Sequence, residues 1–279
     1  MVTIELGRFG VWQGAYRWTP ELAAGIEELG YGAIWLGSSP SGDLELVEQL
    51  LDATSRIAVG TSIVNVWKDD PATVAAAYHR VEERHPGRFL LGIGIGHPEQ
   101  SGSYTSPYQT LVRYLDALDT AGVPKDRRAL AALRPKVLRL AAERTAGALP
   151  YLVTPEHTRR ARELLGEGVL LAPEHKVVLE TDPERARAIG RPRVAKPYLG
   201  LVNYLNSLRE LGYTAEDLAG SGSDRLIDDL VLHGTPESVV KGLTAHLDAG
   251  ADHVVAQVLI GPDDDLLGKH RELAAALPS

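Results

Sequence analysis

Residues 88–96 read RFLLGIGIG, an apolar stretch in which glycine occupies every second position from Gly92 onward. An alternation with a period of two is typical of a β-strand, and no helical pattern follows it directly. A dinucleotide-binding loop would instead place its glycines in the turn between a strand and a helix. We therefore predict a strand with one bare face, against which either a bulky neighbouring side chain packs or a flat ring system lies.

Seven other short apolar runs flank this stretch, and amphipathic helical patterns follow nearly all of the eight. Eight strand–helix units in a chain of 279 residues favour a single α/β domain over residues 1–279, a (β/α)8 TIM barrel. A helical insertion is predicted at residues 182–233, between the seventh and eighth strands. The predicted strands are residues 2–12, 33–36, 57–66, 88–96, 129–133, 148–153, 176–180 and 252–259.

The composition excludes several classes of protein. The chain has no cysteine, which excludes disulfides, thiolate metal sites and a cysteine nucleophile. With 29 basic and 37 acidic residues the net charge is −8, so a broad nucleic-acid-binding face is not expected. No apolar run approaches the ~20 residues of a membrane span, and no signal-peptide pattern precedes the first strand. We expect a cytoplasmic protein without a nucleic-acid or membrane partner.

In a barrel of this type the reactive groups lie at the C-terminal ends of the strands. The side chains predicted at that rim are mostly neutral and polar, or aromatic. Because no cluster of carboxylates is among them, neither a hydrolytic acid pair nor a metal site is predicted. Such a rim suits a planar group that brings its own chemistry. The rim consists of Trp12, Gln13, Ser38, Ser39, residues 62–65 and 94–97, Leu133, Arg134, Val153, Thr154 and Gln257.

Two charged or titratable residues of the rim have a functional and a structural interpretation. His97 ends the glycine-rich strand, where it could transfer a proton or simply satisfy a loop hydrogen bond. Arg134 begins a helix, whose free N–H groups and partial positive charge favour a phosphate, or it is an ordinary surface arginine. For the substrate pocket we select Trp12, Gln13, Trp67 and Tyr151.

Taken in order, several of these segments resemble the luciferase-like monooxygenase superfamily, in its branch of oxidoreductases that depend on the deazaflavin coenzyme F420. The resemblance covers nearly the whole chain. Its marks are GYGAIWL at residues 30–36, GTSIVN at 60–65, RFLLGIG at 88–94, GALPYLVTPEHT at 147–158 and GTPE at 234–237.

The resemblance implies a barrel, usually dimeric, that holds F420 or FMN at its C-terminal mouth. It also implies a cis peptide bond at Ser62–Ile63, in a bulge of the third strand that backs the cofactor ring. The cofactor contacts that it implies fall on Ser38, Ser39, Ser62, Ile63, Asn65, Gly94, Gly96, His97, Leu133 and Arg134.

The function that we expect is hydride transfer between F420 and a small organic substrate, with the cofactor supplying the chemistry. Two alternatives stay open: an FMN-dependent monooxygenase, and a barrel that has lost catalysis. The chain has Ser38-Ser39 where several relatives have Asp-His, and Ile95 where some have glutamate. The acid–base assignment of the family therefore does not transfer, and His97 is the candidate proton donor.

Overall fold

The computed structural model describes residues 4–96, 106–262 and 264–278. The strands are β1 (Phe9–Gly14), β2 (Ala33–Gly37), β3 (Ala58–Ser62), β4 (Val64–Asn65), β5 (Phe89–Gly94), β6 (Arg128–Leu130), β7 (Gly147–Ala148), β8 (Leu170–Leu171), β9 (Glu174–Val178), β10 (Val231–His233) and β11 (Val254–Val258). The helices are α1 (Pro20–Glu28), α2 (Glu45–Asp52), α3 (Pro71–Arg84), α4 (Pro107–Thr120), α5 (Pro135–Arg144), α6 (Pro155–Leu165), α7 (Pro183–Ala195), α8 (Val202–Glu210), α9 (Asp224–Leu230), α10 (Pro236–Asp248) and α11 (Leu266–Ala274). Over the described ranges, none of these helices has both the length and the apolar character needed to cross a membrane.

The strands form one curled parallel sheet. Strand β1 pairs with β2 on one side and with β11 on the other, and the order runs from β2 through β3, β5, β6 and β7 to β8. Ala172 and Glu174 donate to the carbonyls of Ala148 and Pro150, and β9 pairs with β11. Since only two residues separate β8 from β9, the sheet returns through them to β11 and β1. The predicted TIM-barrel-like fold is confirmed.

Helix starts follow the capping chemistry of the sequence. Thr19, Thr154 and Thr235 each accept a hydrogen bond from a backbone N–H of the first turn, and each precedes a proline at the first helical position. Proline costs nothing there because its missing N–H has no partner in the helix. The three Thr-Pro-Glu triplets therefore begin α1, α6 and α10.

Strand bounds differ from the predicted ones where the backbone leaves the sheet. Strand β1 begins at Phe9, so residues 4–8 of the predicted first strand lie before it, and the predicted third strand is divided at Ile63 into β3 and β4. Strand β7 ends at Ala148, because Pro150 has no N–H to donate and Leu152 adopts a left-handed φ of 56°. The predicted insertion at 182–233 folds into α7, α8 and α9 and ends in an additional strand, β10, beside β9.

Alternation along each strand separates two apolar layers. Every second side chain points outward and packs against the helices, as Val11, Ile34 and Leu91 do. The intervening side chains fill the barrel interior, so an inward position near a strand's C-terminal end faces the mouth. The interior cluster contains Trp12, Ala33, Trp35, Ala58, Ile63, Leu90, Ala129, Leu149, Ala172 and Val255.

Candidate functional site

One side of the barrel mouth is built where β3 is interrupted. The Ser62–Ile63 peptide bond is cis, at the position that the resemblance predicts. The chain then rejoins the sheet as β4, in which Asn65 lies beside Gly94 of β5. The interruption places the Ile63 side chain between these strands at the mouth, where it is 9% exposed.

Three glycines, two in β5 and one just after it, make three different contacts. A side chain at position 92 would collide with the carbonyl oxygen of Thr61, so Gly92 permits close approach of β3 and β5. A Cβ at position 94 would lie 2.8 Å from Cγ1 of Ile63, so Gly94 makes room for Ile63. Gly96 has a φ of 56°, and a Cβ there would lie 2.5 Å from Nδ2 of Asn65. The bare face of the strand is thus covered largely by Ile63, an aliphatic side chain at the mouth. We name Ile63, Asn65, Gly94 and Gly96 the β3–β5 platform.

Neutral polar groups surround this platform. Ser38 and Ser39 follow β2 with left-handed φ values of 60° and 53°, and Ser38 is exposed. Asn65 is buried, and its Oδ1 accepts the backbone N–H of Trp67 at 3.0 Å. The indole nitrogen of Trp67 is buried without a hydrogen-bond partner among the described residues. Hydroxyl, amide and apolar groups are what a neutral planar ring requires for orientation, so the residues present fit a flavin-type ring.

Helix α5 begins beside the platform, after β6. Its N-cap residue, Arg134, makes no side-chain capping bond, and the Arg134 guanidinium instead pairs with Glu210 of α8. The carbonyl of Leu133 bonds to Nε2 of His157 at 2.7 Å. The Arg134 side chain is 37% exposed at the N-terminus of α5. His97, the predicted proton donor, lies outside the described residues.

An aromatic cluster forms another part of the mouth. The rings of Trp12 and Tyr151 lie with centroids 5.4 Å apart, and Tyr151 lies at the same distance from Tyr198. Tyr204 of α8 continues the cluster, 4.9 Å from Tyr198. The Tyr151 hydroxyl donates to Oε1 of Gln257 at 2.9 Å, which fixes the ring over the end of β11. We name Trp12, Tyr151, Tyr198 and Tyr204 the aromatic wall.

The four residues selected for the substrate pocket do not all meet. Trp12 and Tyr151 are in contact in the aromatic wall. Trp67 lies beyond β4, next to Asn65. Gln13 occupies the opposite phase of β1 from Trp12, and its Nε2 donates to the carbonyl of Val258 at 3.0 Å. That bond connects the ends of β1 and β11.

The sequence interpretation missed a buried ion pair beneath the aromatic wall. Glu174 and Lys176 alternate along β9 and both point into the barrel, with Nζ of Lys176 3.2 Å from Oε1 of Glu174. The other carboxylate oxygen accepts the N–H of Leu152, and Nζ of Lys176 lies 3.9 Å from the ring centre of Tyr151. The sequence does carry a sign of this pair, because an acid and a base two positions apart face the same side of a strand. The predicted strand began at Lys176, however, and left Glu174 outside it.

Burial dominates the protonation of this pair. Removal from water raises the pKa of Glu174, although Lys176 opposes the effect. Burial likewise lowers the pKa of Lys176, against the pull of Glu174. The attraction between the two groups opposes both shifts, and the pair is a locally neutral unit under Tyr151.

Two further observations limit the chemistry. No group of three or more potential metal ligands occurs among the residues that the structure describes. A cleft of about 940 Å³ opens at the opposite, N-terminal end of the barrel, between Tyr78, Lys125 and Val169. Active sites of barrel enzymes lie at the C-terminal face, so we place the chemistry at the mouth and not in this cleft.

Comparison with known proteins agrees with this architecture. Residues 3–121 match the family model described as luciferase-like monooxygenase. The 5,10-methylenetetrahydromethanopterin reductase of Archaeoglobus fulgidus is 25% identical, in an alignment that covers 77% of this chain and 82% of that protein. The resemblance to the luciferase-like monooxygenase superfamily is therefore confirmed.

Two solved structures share the fold over nearly their whole length. An F420-dependent secondary alcohol dehydrogenase, in complex with an F420–acetone adduct, has a TM-score of 0.74 and 13% identity, covering 97% of this chain and 98% of that one. The oxygenating constituent of 3,6-diketocamphane monooxygenase from Pseudomonas putida, in complex with FMN, has a TM-score of 0.70 and 15% identity, with the same coverages. The fold is thus common to proteins that hold F420 and to proteins that hold FMN.

Proposed function

We propose that this chain is an F420-dependent oxidoreductase that transfers a hydride between the deazaflavin and an organic substrate at the barrel mouth. The observation that carries the proposal is the β3–β5 platform, an aliphatic surface flanked by neutral hydrogen-bonding groups. When bound, F420 supplies the hydride chemistry at its ring. The match to the methylenetetrahydromethanopterin reductase supports a reductase rather than an oxygenase.

Each part of the mouth has a distinct task in this proposal. Ile63 supports one face of the ring, while Ser38, Ser39, Ser62 and Asn65 bond to its polar edge. Gly94 and Gly96 keep the surface open. Leu133 and Arg134 direct the phosphate to the start of α5, and the aromatic wall excludes water from the substrate side. His97 is the proposed proton donor.

The first test is a titration of the purified chain with F420 and, separately, with FMN, followed by cofactor fluorescence. Saturable binding of F420 with none of FMN is the expected result. Binding of FMN alone would overturn the proposal in favour of a monooxygenase, and binding of neither would favour a barrel without catalysis.

A variant of the platform makes the titration specific to this site. We predict that Gly94→Ala weakens F420 binding about tenfold, because the added methyl group displaces Ile63 and overpacking of this size costs roughly 1–3 kcal/mol. Gly200→Ala is the matched control, since a Cβ at position 200 meets no atom within 4 Å. Equal affinities of the two variants would show that the ring binds elsewhere.

A further inference from the structure

A small pocket lies at the mouth between the ends of β1 and β11. Its volume is about 40 Å³, room for about three water molecules, which is also the scale of one carboxylate or phosphate group. The lining residues are Trp12, Gln13, Gly14, Tyr16, Arg17, Arg193, Gln257, Val258, Leu259 and Ile260. No acidic residue is among these described lining residues.

The charged groups of this pocket are two arginines, Arg17 and Arg193, for which the described residues supply no acidic partner. Arg185, Arg187 and Arg191 of α7 each pair with a carboxylate, of Glu180, Asp228 or Asp224. Arg193, on the same helix, makes no ion pair or hydrogen bond among the described residues. The same is true of Arg17, at the end of the turn that follows β1. Guanidinium groups at a pocket are thus left with free donors in a chain that has an excess of acids.

Hydrogen-bond donors also predominate among the neutral lining residues. Gln257 is 9% exposed, and its Oε1 is already used by the Tyr151 hydroxyl, which leaves its Nε2 to donate. The indole nitrogen of Trp12 is buried and has no hydrogen-bond partner among the described residues. A ligand group that only accepts hydrogen bonds, and carries negative charge, complements this set of donors.

The position of the pocket separates it from the proposed cofactor side. Strand β11 is four steps from β5 through β1, β2 and β3, and five steps through β9, β8, β7 and β6, so the two lie on opposite sides of the barrel. The platform and the start of α5 belong to β5 and its neighbours. The aromatic wall adjoins the pocket through Trp12 and Tyr151.

We propose that Arg17 and Arg193 bind an oxyanion of the substrate, a carboxylate or a phosphate, whose apolar body lies on the aromatic wall. This inference rests on the proposed function, because it assigns the substrate class of the same site. It adds no chemical step: the two arginines orient the substrate by charge-assisted hydrogen bonds and take no part in the hydride transfer.

The test uses benzoate and phenyl phosphate as probes, with benzamide as the neutral counterpart of benzoate. Binding to the full chain is measured by calorimetry and by quenching of tryptophan fluorescence. Arg17→Gln and Arg193→Gln are each expected to weaken binding of the preferred anion about tenfold. Arg139→Gln is the matched control, because Arg139 is an exposed arginine of α5 outside the pocket. The stronger probe identifies the oxyanion as carboxylate or phosphate.

The outcomes separate this inference from the proposed function. Loss of anion binding in both pocket variants, with F420 affinity unchanged, supports the oxyanion site. Should the wild-type chain bind anions in this arginine-dependent way but fail to bind F420, the pocket stands and the proposed function fails. Any of three results overturns the inference: benzamide binds as tightly as benzoate, neither anion shows saturable binding at millimolar concentration, or Arg139→Gln loses as much anion affinity as the pocket variants. A parallel loss of F420 affinity also overturns it, since the pocket would then hold the cofactor's own acidic groups.

Discussion

Lys176 and Glu174 are held inside the barrel at 1% and 3% exposure, where neither charge has water to replace its partner. We predict that Lys176→Met lowers the free energy of unfolding by about 3–5 kcal/mol near neutral pH, because it leaves the carboxylate buried and unpaired. The measurement is urea denaturation followed by circular dichroism.

The double variant Glu174→Gln/Lys176→Met is the control, and it should be more stable than Lys176→Met. The pH dependence has a defined sign. Burial raises the pKa of Glu174 in the folded state, so the folded single variant binds a proton that the unfolded chain, with a pKa near 4.3, does not. Its deficit relative to the double variant is therefore largest at neutral pH and shrinks as the pH falls. A deficit independent of pH would contradict the assignment.

The carboxylate of Glu27 connects two neighbouring elements, because it joins the end of α1 to the loop before β3. Its oxygens accept the backbone N–H groups of Ser55, Arg56 and Ile57 at 2.7–3.1 Å. Burial opposes the charge, but these bonds, that of Ile57 foremost, lower the pKa of Glu27 to about 2. The carboxylate thus satisfies three donors of a loop that has no other acceptor for them among the described bonds.

We predict that Glu27→Gln destabilises the fold by about 1–3 kcal/mol, since the neutral amide offers one acceptor oxygen and turns an NH2 group toward donors. Because the folded pKa of Glu27 is depressed, its contribution is complete above the unfolded value near 4.3 and is lost as the pH falls toward 2. Thermal unfolding near pH 7 measures the effect, with Glu28→Gln as the control on the exposed neighbouring position. A change in Glu27→Gln no larger than in Glu28→Gln would refute the role.

At the level of elements, the sequence predicts what depends on local chemistry. Periodicity located the eight strand positions, and the Thr-Pro-Glu triplets located three helix starts, because alternation and capping are properties of neighbouring residues. The division of the third strand at Ile63 was expected only through the resemblance. Strand β10 was not predicted, since its three residues find their partner in β9, more than fifty residues away.

The candidate site was predictable to a similar extent. The prediction from strand ends placed Trp12 and Tyr151 at the mouth, and their rings are in contact there; their role in substrate binding stays a prediction. Gln13 lies at the mouth and lines the pocket between β1 and β11, but the bond from its Nε2 to the carbonyl of Val258 was not predicted, because the partner belongs to a strand more than two hundred residues away. The Glu174–Lys176 pair escaped prediction for a different reason, a strand start placed two residues late.

For the molecule as a whole, five of the nine histidines are buried in the described core: His157, His175, His246, His253 and His270. Burial lowers the pKa of each, to about 3 for His175 and His270 and to about 4 for His253. They lie in several places around the barrel, from the His175–His246 contact under α10 to His253 beside Trp35. Protonation therefore acts on the whole fold and not on one element.

We predict a steep loss of stability as the pH falls below about 6.5. Below that pH the histidines of the unfolded chain are protonated, whereas the buried histidines of the folded chain stay neutral because their pKa values are lowered. The free energy of unfolding therefore declines by about 1.4 kcal/mol per pH unit for each such group. His175, His253 and His270 together give roughly 4 kcal/mol per pH unit. This slope is enough to unfold a domain of ordinary stability within about two or three pH units. Urea titrations at successive pH values measure the slope.

A single substitution makes this slope specific to the buried imidazoles. His270 is fully buried, both of its ring nitrogens lack hydrogen-bond partners among the described residues, and its ring meets Tyr31 edge-on at 5.7 Å. His270→Phe keeps an aromatic ring at this position and removes its titration. The slope of the free energy of unfolding against pH, measured between about pH 6 and 5, should therefore fall by roughly 1.4 kcal/mol per pH unit, the contribution of one proton. His79→Gln, at an exposed position of α3, is the control variant. If both variants retain the full slope, acid unfolding begins at other groups, and the neutral histidines are not what limits the stability of this barrel in acid.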